Sequence, residues 1–264
     1  MKLEVLISCM GNHNEVIEKT GLRSDALVID QCGREQEEEF FSGENRIRIL
    51  ETEERGLSNS RNMAIRNASG DVVLLCDDDE SLEEDYPQTI LRAYENLPDA
   101  DIIAFRVKNQ PSRLKQNVQR LNQWTALRIS SWQITFRPKV ILEKGLSFDP
   151  LLGAGSGNGA SEEVHFLRQC IKAGCKAYYV PEDIASVAQE SSTWFTGFDQ
   201  KFFYQRGTVN RYMLGLPVSL FYALYYTAAK RNLYRNDISS FDALKYTLKG
   251  IISNDIEKEK KKRK

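Results

Sequence analysis

The chain has 264 residues, 41% of them apolar, with 36 lysines and arginines set against 37 aspartates and glutamates. That length suits one large α/β domain with a C-terminal extension, and the balanced charge argues against nucleic acid as a partner. The five cysteines lack Cys-x-x-Cys spacing, Met1 is followed by no basic-then-apolar leader, and no 18-residue apolar run exists; the expectation is a cytoplasmic protein with reduced thiols, no zinc site, no signal peptide and no membrane span.

Leu3–Ile7 reads as a first strand, with Ser8–Asn12 turning off its carboxyl end. Ala26–Ile29 is a second strand ending in Asp30, and 34–44, polar and acidic, is expected to be a flexible loop. Arg46–Leu50 gives a third strand, and Ser58 is placed to cap a helix to Asn67, which puts Arg61 in its first turn. After Gly70, the five apolar residues Val72–Cys76 predict a buried central strand. Asp77, Asp78, Asp79 and Glu80 follow at once, at the strand end where open α/β sheets bind ligands. Four adjacent carboxylates repel one another unless water or a cation compensates. The run is therefore either a solvated acidic turn or a set of hard oxygen ligands suited to Mg²⁺ or Mn²⁺. Tyr86–Leu97 has helical periodicity and Asp101–Val107 returns as a strand, so the order predicts a mostly parallel sheet flanked by helices.

Beyond Val107, the basic stretch Pro111–Asn122 is expected to face solvent, Trp132–Phe136 to form a strand and Pro138–Lys144 a short helix. Gly153–Gly159 has glycine at every second position. Gly155-x-Gly157-x-x-Ala160 lacks the preceding apolar strand of a dinucleotide fingerprint, so the loop is read as mobile or as letting backbone approach a ligand closely. Ser161 is placed to cap a helix to about Ala173 whose first turn carries Glu162 and Glu163, as its dipole favours. His13 and His165 are read as packed or solvent-facing. Leu214–Ala229 is apolar and aromatic, and Lys230-Arg231 and a basic tail follow. That end is either a packed helix with a disordered tail or an interfacial helix on anionic lipid.

Arg55-Gly-Leu-Ser-Asn-Ser-Arg-Asn, the stop glycine Gly70, the strand and the Asp77-x-Asp79 triplet together resemble the nucleotide-sugar-binding half of family 2 glycosyltransferases. Ser161–Arg168, Gly174 and Tyr178–Glu182 look like that family's acidic helix, glycine turn and following strand. The resemblance implies a GT-A-type, Rossmann-like α/β fold over 1–208 and a helical extension with a basic tail over 209–264. It implies donor contacts from Ser8, Asp30, Arg61, Asp77 and Asp78, with Asp30 reading the nucleobase, and Mn²⁺ or Mg²⁺ held by Asp77 and Asp79. Taken alone, Arg61 would be a surface ion-pair partner. The turn at Ser8 departs from the family's Pro-Thr-Tyr-Asn pattern. In the acidic pair the second acid acts as general base in inverting members; here it is Glu163, where aspartate is commoner, with Glu162 as the alternative. Ser191–Trp194 and Arg206-Gly207 match loops that close over the donor phosphates. The implied reaction is inverting transfer from a nucleoside-diphosphate sugar to a hydroxyl of a glycan or lipid-linked acceptor. Its implied setting is cell-surface polysaccharide synthesis at the inner face of the membrane, with peripheral contact to anionic lipid. Three other readings stay open: a metal-dependent hydrolase, a nucleotide-sugar-binding module without turnover, and a nucleotidyltransferase, which should show a glycine-rich basic loop after its first strand.

Overall fold

A computed structural model describes residues 1–110, 114–159, 161–187 and 197–263. Contacts divide the chain into two compact units, Met1–Asp149 with Glu162–Glu190, and Pro150–Ser161 with Ser191–Lys264.

In the first unit β1 (Leu3–Cys9), α1 (His13–Thr20), β2 (Asp25–Asp30), β3 (Gln36–Ser42), β4 (Asn45–Glu51), α2 (Leu57–Asn67), β5 (Val72–Cys76), β6 (Glu80–Leu82), α3 (Tyr86–Asn96) and β7 (Ile102–Lys108) follow in order. The short β8 (Gln119–Arg120), β9 (Ile134–Phe136), α4 (Pro138–Glu143), α5 (Glu162–Lys172) and β10 (Ala177–Val187) complete it. One sheet runs β3-β4-β2-β1-β5-β9-β7-β10-β6, with β8 pairing β10. β4, β2, β1 and β5 are parallel, while β9 inserts antiparallel between β5 and β7. The α/β expectation holds. β5 is apolar throughout because both its faces are covered: Val72, Leu74 and Cys76 enter one core with α3's Ile90 and Tyr94, and Val73 and Leu75 enter the other with α2's Ala64 and Ile65. Register aligns Cys9, Asp30 and Glu51 at the carboxyl ends of β1, β2 and β4, with Cys76 opposite Ile7. The parallel strands thus deliver their polar terminal residues to one rim of the sheet.

Three sequence expectations change. The stretch 34–44 holds an edge strand, β3, because Phe40 packs on the core and Glu39 accepts from two guanidinium nitrogens of Arg46, at 2.8 and 2.6 Å. The start of α2 is at Leu57, capped by Gly56 with φ 107°, so Ser58 lies within the helix and Arg61 in its second turn. Glu80, the last acid of the run, opens β6 and is buried.

The second unit contains α6 (Gln200–Ala229), α7 (Arg231–Tyr234), α8 (Ser240–Ser253) and α9 (Asp255–Lys262). Asp199 caps α6 by accepting from the Phe202 N–H at 2.7 Å. The boundary expected at 208 falls inside α6, whose own break is at Gly215 (φ 76°), just before Pro217. No helix among the described residues is long and apolar enough to cross a membrane. Arg206 and Gly207 belong to the packing of this unit. The Arg206 guanidinium lies 3.8 Å from the Tyr226 ring centroid and donates to the Tyr222 hydroxyl at 2.7 Å. A methyl on Gly207 would overlap the Thr247 carbonyl oxygen, and one on Gly250 the Tyr204 carbonyl oxygen, so α6 and α8 cross at two glycines. Gly207→Ala or Gly250→Ala should therefore destabilise this unit by roughly 1–3 kcal/mol, as overpacking does. Helix propensity alone favours alanine by about 1 kcal/mol, so a rise in urea midpoint for both variants would refute the close crossing.

Candidate active site

The Ser60-Arg61-Asn62 motif works as a hub, because each side chain ties α2 to a different element. Ser60 donates to Ser8 at the end of β1 at 2.8 Å. The Asn62 amide donates to the Phe148 carbonyl at 2.9 Å and accepts from the Phe148 N–H at 2.8 Å, fixing the chain before the glycine-rich loop. Arg61, only 2% exposed, reaches Asp77 at 2.6 Å with one nitrogen and Glu162 at 2.9 Å with another, and its guanidinium lies 5.4 Å from the Phe148 ring centroid. Burial opposes the arginine's charge, but Asp77 and Glu162 outweigh it and hold the group firmly protonated. One cation thus joins the end of β5 to the start of α5.

Around that link the acidic residues differ in environment. Asp77 accepts from Arg61 on one oxygen and from the Ser131 hydroxyl at 2.8 Å on the other. Its backbone N–H donates to Glu80 at 2.9 Å. Glu80 is 1% exposed, and burial, followed by the charge of Asp77, raises its pKa well above the usual carboxylate range. Asp78 and Asp79 are exposed. Asp78, although its residue is exposed, is also raised, by partial desolvation of its carboxyl and then by Asp77. The run is therefore electrostatically stressed even with Arg61 beneath it, and its outer members offer only hard oxygens. Those residues fit a divalent cation such as Mg²⁺ or Mn²⁺.

Glu162 is buried, and its second carboxylate oxygen has no partner among the described residues. Glu163, next along, is half-buried and borders a cavity of about 220 Å³ also lined by Arg106, Arg128, Trp132, Gln133 and Tyr179. Burial first, and then the neighbouring Glu162, push the Glu163 carboxyl up to about 8, against the opposing pull of Arg61. A carboxyl with its pKa near neutrality beside a cavity has the properties of a general base.

Asp30 is 1% exposed at the end of β2, where it accepts from the Gly11 N–H at 2.5 Å and pairs with His13 Nδ1 at 2.7 Å. Glu51 stands 3.9 Å from the same nitrogen and pairs with Arg34. His13, Asp30 and Glu51 place ligand atoms within 4.8 Å of one another, a second group able to hold a metal, although Arg34 already supplies a cation to Glu51.

Ser8, Arg61, Asp77 and Glu162 are thus linked through the motif on α2, with Glu163 beside them, whereas Asp30 belongs to the His13 cluster. Sequence reasoning missed His13, Ser131, Phe148 and the cavity wall; only the short step from β1's end to His13 gave a usable signal. The glycine-rich loop is closed on itself, Gly153 N–H to the Gly159 carbonyl at 2.8 Å, and Leu151 and Leu152 anchor it beside Val209 and Ile256 of the second unit. His165 lies 3.9 Å from Asp149. Ser191–Trp194 and Ala160 lie outside the described residues.

Residues 13–150 match the family model described as Glycosyl transferase family 2. A stretch of 79 residues is 37% identical to the glucosyl-dolichyl phosphate glucuronosyltransferase of Haloferax volcanii, covering 28% of this chain and 25% of that protein. Among solved structures, S. aureus TarS 1–349 in complex with UDP-GlcNAc superposes with a TM-score of 0.60 at 12% identity, over 90% of this chain and 74% of that one. The mannosyltransferase PcManGT from Pyrobaculum calidifontis, in complex with GDP-Man and Mn²⁺, superposes with a TM-score of 0.55 at 13% identity, over 96% and 86%. Both likenesses concern the fold, which is that of GT-A glycosyltransferases.

Proposed function

Since the chain belongs to glycosyl transferase family 2, we propose that it moves a sugar from a nucleoside-diphosphate donor to a hydroxyl of a glycan or lipid-linked acceptor, with inversion. The observation that carries this reading is the Arg61 link, which joins the strand-end aspartate to the acidic helix start where Glu163 borders a cavity. Asp77 and Asp78 would face the donor, and Asp30 would accept an N–H of the base. Mg²⁺ or Mn²⁺, held by Asp79 and Asp77, would neutralise diphosphate charge as the glycosidic bond breaks. Glu163 would take the acceptor proton from the cavity side, and a single base opposite the leaving group gives inversion. Trp132 offers the acceptor ring an apolar face, while Gln133 and Arg128 line the same cavity. The volume suits one sugar unit, being below the roughly 300–1,000 Å³ of pockets for drug-sized ligands. Cell-surface polysaccharide synthesis at the inner face of the membrane, with peripheral contact to anionic lipid, is the setting proposed for this reaction.

Thermal denaturation against nucleotide sugars tests the reading. A UDP- or GDP-sugar at about 100 times its Kd should stabilise the protein by about 2.7 kcal/mol in Mn²⁺ or Mg²⁺. Chelator, or Asp79→Asn, should remove most of that gain, because the acidic run alone repels diphosphate. Equal stabilisation in chelator and in Asp79→Asn would rule out the metal assignment. Donor cleavage that does not rise with added acceptor would indicate hydrolysis instead.

A further inference from the structure

The second half of α6, residues 216–229, has its polarity reversed relative to a helix packed in water. Ser219, Ala223 and Tyr226, at i, i+4 and i+7, form its buried side, and two of the three are small. The bulky apolar residues point outward: Leu216 is 42% exposed, Leu220 36%, Phe221 72%, Leu224 58% and Tyr225 47%. Their spacings of one, three and four residues put them on one continuous face. No charged residue interrupts the helix between Arg211 and Lys230. At its end stand Lys230, Arg231 and Arg235, all exposed, with Leu233 among them at 57%. Between Asp199 and Asp237 the chain carries six basic residues and no acidic one, although its overall charge is nearly balanced.

We propose that this outward face docks in the headgroup region of an anionic bilayer, lying in the membrane plane with Lys230, Arg231 and Arg235 on lipid phosphates. Length excludes a span: 14 residues rise only about 21 Å, against a hydrocarbon core of about 30 Å. An apolar face bordered by basic residues is what an interfacial helix requires. Charge also selects the occupant. In a symmetric dimer the same patch faces itself, which would bring two basic borders together, whereas an anionic lipid surface compensates them. The inference deepens the membrane location proposed above, and it does not depend on the transfer chemistry.

Flotation of the full chain with vesicles of equimolar phosphatidylglycerol and phosphatidylcholine, beside pure phosphatidylcholine, tests it. Binding is expected only to the anionic vesicles. Phe221→Glu with Leu224→Glu should weaken it at least tenfold, and Lys230→Ala, Arg231→Ala and Arg235→Ala together about a hundredfold, at about fivefold per charge. An unchanged melting temperature and unchanged donor-induced stabilisation would confirm that these exposed substitutions leave the fold intact. Phe221→Trp adds an independent reading, since brominated lipid should quench its added fluorescence. If deletion of 258–264 abolishes binding while the Phe221/Leu224 variant binds normally, the tail is the anchor and the proposal fails, though the membrane location stands. No binding at low salt, or a dimer that the Phe221/Leu224 variant dissociates, also overturns it. Loss of transfer to a soluble acceptor in the unmodified chain would count against the proposed function alone.

Discussion

In Glu163→Gln, turnover falls by roughly 10²–10⁴ while nucleotide-sugar affinity stays within a few-fold, the span expected when a general base is lost and donor contacts survive. Glutamine keeps the size of the side chain bordering the cavity but cannot take a proton. The pH profile makes the test sharper. Because the Glu163 carboxyl is pushed up to about 8, the base form accumulates only as pH rises through that value. Turnover of the unmodified enzyme should therefore climb with pH across this range, and the climb should vanish in Glu163→Gln. The companion Glu162→Gln is less neutral than its sequence position suggests, since Glu162 is buried and bonded to Arg61. It should lose stability together with activity and keep the pH-dependent limb, moved to lower pH because the charge of Glu162 no longer raises Glu163. If Glu162→Gln loses that limb and Glu163→Gln retains it, the base is Glu162; if both remain active, neither residue is the base.

Replacing Arg61 by methionine should be the most damaging single change to the first unit. It removes the cation between Asp77 and Glu162 and leaves a buried carboxylate uncompensated, at a cost of roughly 3–5 kcal/mol. For a unit of this size each kcal/mol lowers the melting temperature by roughly 2–4 °C. Adding Glu162→Gln to Arg61→Met neutralises the stranded acid and should recover part of the loss, a coupling that a double-mutant cycle isolates. Additive losses would mean that the two side chains are not paired in solution. Transfer activity should remain low in both variants, because the acidic run above Arg61 has lost its counter-charge.

How much of this was legible depends on how local the determinants are. Val72–Cys76 could be read as a central strand because burial on both faces makes every residue apolar. The acidic run and the Glu162-Glu163 pair were legible for the same reason, since each is contiguous. The strand over Gln36–Ser42 was not, because its charged residues suggest a loop and only pairing with Arg46 and Arg48 of β4 compensates them. Ser131 and Asp77 lie 54 residues apart and meet only because β9 inserts beside β5. His13 and Asp30 meet through the register of two parallel strands, which neither segment encodes alone. The Ser-Arg-Asn motif was conspicuous, but its role as a three-way tie depends on where α2 lies against β1, β5 and α5.

The acidic edge strand bears on how copies of this protein meet. β3 is the outermost strand on its side of the sheet and presents Glu37, Glu38 and Glu39 in succession, all exposed. A second sheet approaching that border would bring a like row of carboxylates against these three, and charged side chains along an edge strand discourage strand addition. Assembly by sheet continuation, including the fibrillar kind, is closed on that side at neutral pH.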